Sequence, residues 1–231
     1  MADSHPILLV HGAWHGPWAW SRVEPALRER GHELHVLDLP SSGPDRHSLA
    51  DLYEDAATVR RALDEIGRPT LVVGHSYGGM AITEGAAGAD NVSHLLYLAA
   101  FMLDEGESLF AAVGGVEPDW WNTSEDGRTV IPERPGEIFY NDCSPEDAAE
   151  ASARLNPQLI DSFKQPLRAA AWRSKPSTYV ICERDNAIPP FAQEHMSQRA
   201  GHVRRLDASH SPFLSRPDEV VEIVTELASG A

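Results

Sequence analysis

Apolar residues in this chain of 231 residues fall into short unbroken runs. Between the runs lie longer stretches in which they recur every three or four positions. The runs are Ile7 to Val10, Glu33 to Leu37, Leu71 to Val73, His94 to Ala99, Thr178 to Cys182 and a weaker Val203 to Leu206. Continuous apolar runs of this length suit strands buried on both faces. Leu49, Leu52, Tyr53, Ala56, Val59, Leu63 and Ile66 show helical spacing. Ser48 with Asp51 reads as the N-terminal cap of that helix, and Gly67-Arg68-Pro69 as its stop. Trp18 to Arg30, closed by Gly31, and Asp218 to Leu227 carry similar patterns. Strand–helix alternation predicts an α/β fold, a mostly parallel sheet of about six strands with helices on both faces.

The stretch from Asp104 to Arg173 breaks this rhythm. It is rich in proline and aromatic residues, and no run in it matches those of the sheet. An excursion of that length is too long for a passive loop. It reads as a cap over one end of the sheet, residues 104–173, with helical pieces such as Pro145 to Leu155. Residues 1–103 and 174–231 then make the core. No internal repeat or low-complexity tract is present.

Composition narrows the function classes. Nineteen Lys+Arg against thirty-five Asp+Glu give a net charge of −16, which leaves no electrostatic case for nucleic acid or an anionic membrane surface. The only lysines are Lys164 and Lys175. Two cysteines, Cys143 and Cys182, cannot form a disulfide scaffold, and no CxxC is present for a structural zinc. No apolar run reaches the roughly 18 residues of a membrane span. Met1 to Pro6 lacks the basic start and apolar stretch of a signal peptide. The expectation is a cytoplasmic protein, with a homodimer left open.

The strongest chemical signal is Gly74-His75-Ser76-Tyr77-Gly78, a G-x-S-x-G after an apolar strand and before a helical stretch, Met80 to Ala87. A serine nucleophile must stand clear of the sheet, which demands a sharp strand-to-helix turn with small residues where the two crowd each other. The Tyr77 N–H then lies at a helix N-terminus, where it suits a developing oxyanion. A serine hydroxyl also needs a base, and the base an orienting acid. Of eleven histidines, His210 stands after the last strand and before the last helix, where a loop at the strand ends would place it. Asp185, after the penultimate strand, is the expected acid. Asp104 is its runner-up, with Glu183 and Asp207 less well placed. Ala13, in the loop after the first strand, offers a second oxyanion N–H, and Gly12 lets that backbone approach closely. His11 and His15 share a loop with no evident third ligand, so no metal is expected. No cofactor is called for.

Six segments carry a family resemblance: His11-Gly12-Ala13-Trp14-His15-Gly16-Pro17-Trp18, Gly31-His32, Leu37-Asp38-Leu39-Pro40-Ser41-Ser42-Gly43, Gly74 to Gly79, Arg184-Asp185-Asn186-Ala187-Ile188-Pro189 and Ser209-His210-Ser211-Pro212-Phe213. Through them nearly the whole chain resembles the α/β-hydrolase superfamily. More narrowly, it resembles the branch of hydroxynitrile lyases and plant methylesterases, which includes salicylate-binding methyl esterases and bacterial relatives. The resemblance implies the α/β-hydrolase fold with a helical cap, a Ser76–His210–Asp185 triad, and an oxyanion hole from the N–H groups of Ala13 and Tyr77.

Lyases of the branch carry a threonine in place of Gly12 and a lysine directly after the catalytic histidine. Here Ser211 stands after His210, so the esterase pattern fits better. The branch's esterases often have methionine there, so plant-hormone esters do not follow. A serine nucleophile disfavours the dehalogenase and epoxide hydrolase reactions, which use aspartate. The expected function is hydrolysis of a small apolar or aromatic carboxylic ester, with Gly12, Trp14, Trp120, Trp121 and Phe139 as candidate substrate contacts. The alternatives are a C–C lyase acting on cyanohydrins, a small-molecule receptor on the same scaffold and, remotely, a cofactor-independent oxygenase.

Overall fold

The computed structural model describes residues 4–230. Its strands are β1 (Ile7–Val10), β2 (Leu34–Val36), β3 (Thr70–His75), β4 (Val92–Leu98), β5 (Trp121–Thr123), β6 (Thr129–Pro132), β7 (Gln158–Leu159), β8 (Ser177–Cys182) and β9 (His202–Leu206). Six of them form one sheet in the order β2-β1-β3-β4-β8-β9, with every neighbouring pair parallel. Every residue of β1, β3 and β8 is buried, as the unbroken apolar runs require. The strand order reverses between β1 and β3. The loops leaving those two strands therefore part to opposite sides and open a crevice at the carboxyl ends of the strands.

The helix expected from Leu49 runs over Leu52–Ile66. Its cap is Asp51 alone, whose carboxylate accepts from the N–H groups of Tyr53 and Glu54 at 3.0 and 3.1 Å. Ser48 instead donates to the Asp45 carbonyl within the preceding turn. The single helix expected over Trp18 to Arg30 is broken into a short 3-10 turn, Pro17–Trp20, and a helix, Glu24–Glu29. Pro25 has no N–H to continue a helix through this point, so the chain restarts there. The final helix, Pro217–Ala228, packs close to its expected place.

The excursion between β4 and β8 departs from the expected helical cap. It does hold short helices, among them Leu109–Ala112, Pro145–Ala153 and Asp161–Lys164. It also holds an antiparallel sheet of β5, β6 and β7. These strands are two to four residues long. β7 is fixed by outside partners. Gln158 bridges Ser42, and the Leu159 N–H donates to the Ser41 carbonyl at 2.9 Å. The excursion also grips the loop after β1. The Asn156 N–H donates to the Trp14 carbonyl at 2.8 Å, and Trp14 Nε1 donates to the Val130 carbonyl at 3.0 Å. Among the described residues, no helix is long and apolar enough to cross a membrane. Cys143 and Cys182 are both free, and burial raises both thiols, Cys143 to about 12.

Candidate active site

β3 ends at His75 and the helix Gly78–Gly85 begins three residues later, so Ser76 sits on the turn between them. Its φ is +53°, a left-handed conformation that costs energy for a residue with a Cβ. The Ser76 carbonyl holds the turn by accepting from the N–H groups of Gly79 and Phe101, each at 3.0 Å. A Cβ on Gly78 would lie 2.5 Å from the His11 carbonyl oxygen, so only glycine lets the helix start this close to β1. Gly12 presses on the serine from behind. A Cβ there would lie 2.8 Å from both His75 Nδ1 and Ser76 Cβ. The space a side chain would need at Gly12 is thus already taken by His75 and Ser76. Gly12→Ala is expected to lower turnover by about 10-fold or more and to cost roughly 1–3 kcal/mol of stability, because overpacking displaces Ser76. An ester assay beside urea unfolding checks both. Unchanged values would show that the loop simply moves aside.

Ser76, His210 and Asp185 come together from three separate strand ends. His210 Nε2 lies 2.9 Å from Ser76 Oγ, and His210 Nδ1 lies 2.7 Å from Asp185 Oδ2. A carboxylate facing Nδ1 assigns the proton to that nitrogen, so Nε2 is free to accept from the serine hydroxyl. All three side chains are buried. Asp185 is fixed by further donors. Its Oδ1 accepts from the N–H groups of Ala187 and Ile188 at 2.7 and 2.9 Å, and its Oδ2 from Gln193 Nε2 at 2.9 Å. The other acids are placed elsewhere. Asp104 is paired with Arg173, which holds its carboxyl below the usual range. Asp207 is bound to Arg184 at 2.7 Å, and Glu183 faces Arg205 at 3.5 Å.

Ala13 and Tyr77 flank the serine. Both are buried, and among the described residues neither backbone N–H has an acceptor. Buried N–H groups are rarely left unpaired. Both residues line the same cleft as Ser76, which makes the pair a candidate for holding a negatively charged oxygen there. The surrounding histidines are kept neutral. Burial lowers His15 to about 3, and burial together with the nearby His210 holds His75 well below the ordinary range. His75 Nε2 donates to the His210 carbonyl at 2.8 Å and so props the His210 backbone. His15 Nδ1 donates to the Ala13 carbonyl at 2.8 Å, and its Nε2 accepts from the Tyr140 hydroxyl at 2.9 Å. The lone pairs and protons of His15 are thus already in use.

In front of the serine lies a cleft walled by Trp14, Trp120, Trp121, Phe139 and Phe163. Its cavity volume is about 40 Å³. Trp14 stacks on Phe139 at 5.6 Å and meets Trp120 edge-on at 5.5 Å. Ser76 and His210 supply nearly all the polarity, and no Lys, Arg, Asp or Glu is part of the wall. A narrow, uncharged aromatic slot favours a flat or small neutral group.

Some residues that shape the site carried no sequence motif. Gln193, which clamps Asp185, lies on the helix Pro190–Ser197. Gln158 accepts from the Trp14 N–H, and Asp55 accepts from the Tyr77 hydroxyl. Asp55 had one readable sign: it stands three residues after Leu52 and four before Val59, on the buried stripe of its helix.

Comparison with known proteins gives the family. The model of the Alpha/beta hydrolase family matches residues 7–223. An alpha/beta hydrolase of Aspergillus novofumigatus is 31% identical over 97% of each chain. Methylesterase 18 of Arabidopsis thaliana is 27% identical over 98% of each chain. The solved structure of a pyrethroid hydrolase from Sphingobium faniae superimposes with a TM-score of 0.84 at 25% identity, covering 98% of each chain. The chain belongs to the α/β hydrolase family.

Proposed function

We propose that this protein is a serine esterase that hydrolyses small, uncharged carboxylic esters with a flat or compact apolar part. One observation carries the reading. The hydrogen-bonded line Ser76–His210–Asp185 opens into an uncharged aromatic cleft that Ala13 and Tyr77 also line. The relatives named as a methylesterase and a pyrethroid hydrolase support the ester class.

Ser76 Oγ attacks the ester carbonyl as its proton passes to His210 Nε2. Asp185 holds the ring tautomer and stabilises the imidazolium. The N–H groups of Ala13 and Tyr77 receive the oxyanion, and losing such a donor typically costs about 10²–10³ in rate. His210 returns the proton to the leaving alcohol. Water then attacks the acyl-enzyme by the same route and frees Ser76. A cyanohydrin lyase would need a cation beside the departing cyanide, and the wall of this cleft has none.

The test is a series of p-nitrophenyl esters from acetate to octanoate, with mass spectrometry after a serine-reactive phosphonate. Acetate and butyrate are expected to turn over fastest, since the slot is narrow, and the label is expected on Ser76. Tight binding of aromatic ligands with no turnover and no label would replace the esterase with a receptor.

A further inference from the structure

Behind the two oxyanion N–H groups lies a second set of polar side chains that the reaction above does not use. Asp55, Ser41, Gln158 and Ser162 are all buried. The Tyr77 hydroxyl donates to Asp55 Oδ2 at 2.5 Å, and the Ser41 N–H donates to Asp55 Oδ1 at 3.0 Å. Gln158 Nε2 donates to the hydroxyls of Ser41 and Ser162 at 2.7 and 2.8 Å. Gln158 Oε1 accepts from the Trp14 N–H at 3.2 Å. Trp14 needs that anchor, because its φ of +64° is a left-handed conformation.

The network therefore reaches both sides of the oxyanion site. At one end it holds the side chain of Tyr77, whose own N–H is one of the two proposed donors. At the other it holds the peptide that follows Ala13. We propose that Asp55 and Gln158 are positioning residues that fix the two oxyanion donors relative to each other. The inference rests on the esterase reading of this site. A buried group this costly needs a reason. No arginine or lysine pairs with Asp55 among the described residues; the first turn of its own helix, Ser41, Tyr77 and the nearby His11 offset its burial only in part. Packing alone would be served as well by an apolar residue.

Burial raises the Asp55 carboxyl to about 7, so its charge changes within the working range of such an enzyme. The groups around it are few. His11 lies at the end of β1, and Tyr77 is held neutral by burial and by Asp55 itself. Glu84, on the helix packed against that of Asp55, is bound to Arg168. Asp161 and Lys164 of the cap helix are exposed.

The test uses Tyr77→Phe, which removes one hydroxyl and keeps the backbone, together with Gln158→Met and Asp55→Asn. Each is read by kcat, KM, the rate of Ser76 phosphonylation and the pH profile. Phosphonylation needs no cognate substrate and builds a charged oxygen at the same N–H groups. Tyr77→Phe and Gln158→Met are expected to lower kcat and phosphonylation together by about 10-fold, with KM within about 2-fold of wild type. Asp55→Asn is expected to remove an inflection near pH 7 from the profile. Unchanged kcat and phosphonylation in folded variants overturn the proposal, and so does a loss confined to KM. A wild type that takes no label on Ser76 marks failure of the esterase reading instead.

Discussion

Ser76→Ala is expected to lower kcat/KM for p-nitrophenyl acetate by about 10⁴-fold or more while leaving the unfolding midpoint within about 0.5 kcal/mol of wild type. The change is small for the fold. Alanine keeps the Cβ that the turn at φ +53° already accommodates, and the lost hydroxyl makes one buried hydrogen bond, to His210. It is large for the chemistry, because His210 Nε2 then has no nucleophile to activate. Groups that act as one unit do not add. The double variant Ser76→Ala/His210→Ala is therefore expected to retain the same residual rate as either single variant, since the proposed oxyanion donors, the Ala13 and Tyr77 N–H groups, are untouched. Steady-state kinetics on the three variants decide the matter. Losses that multiply in the double variant would mean that the two side chains serve separate steps, and retained turnover in Ser76→Ala would place the nucleophile elsewhere.

The sheet and the meeting of Ser76, His210 and Asp185 were legible because each strand and each loop after it leaves a local signal. A strand buried on both faces leaves an apolar run such as Leu71 to Val73, and the structure lengthens it by only Thr70 at one end and Gly74-His75 at the other. The elbow is legible because sterics allow only glycine where the helix meets β1, so Gly78 marks the turn directly. Asp185 and His210 could be placed because parallel strands send their following loops to one edge of the sheet. The cap strands follow different physics. Gln158–Leu159 is a strand only because it meets Ser41, Ser42 and β6, all distant in sequence. The polar network behind the oxyanion site is hidden for the same reason. Asp55, Ser41, Gln158 and Trp14 come from four separate segments, and no spacing rule joins them. The cap of the helix Leu52–Ile66 shows a smaller version of this competition. Ser48 and Asp51 are both good capping residues, but the Ser48 hydroxyl is taken by the Asp45 carbonyl, and that leaves Asp51 to cap the helix.

Buried ionisable groups should make the stability of this protein rise with pH between about 4 and 6.5. His15 titrates near 3 in the folded state, and His75 is also held well down. An unfolded chain protonates both below about 6.5. The stability these rings lend as neutral groups is therefore complete above that pH and is lost as pH falls. Asp55 has the opposite sign. Its folded carboxyl titrates near 7, so between about 4 and 7 the folded state holds a proton that the unfolded state has released, and stability falls as pH rises. Two histidines against one carboxyl leave a net of one proton, or about 1.4 kcal/mol per pH unit. His32 and His94 act in the same direction as the buried pair, but their partial exposure weakens them. Asp55→Asn removes the opposing carboxyl. Its slope is expected to approach about 2.7 kcal/mol per pH unit, with a gain over wild type on the order of 4 kcal/mol at pH 8 that vanishes towards pH 4. Urea unfolding of both proteins at half-unit intervals from pH 4.5 to 8 measures the two slopes. Parallel curves would show that Asp55 keeps an ordinary carboxyl pKa despite its burial, with the Tyr77 hydroxyl and the Ser41 N–H sufficient to hold its charge. Converging curves would show that the Asp55 carboxyl is retained against a cost in stability.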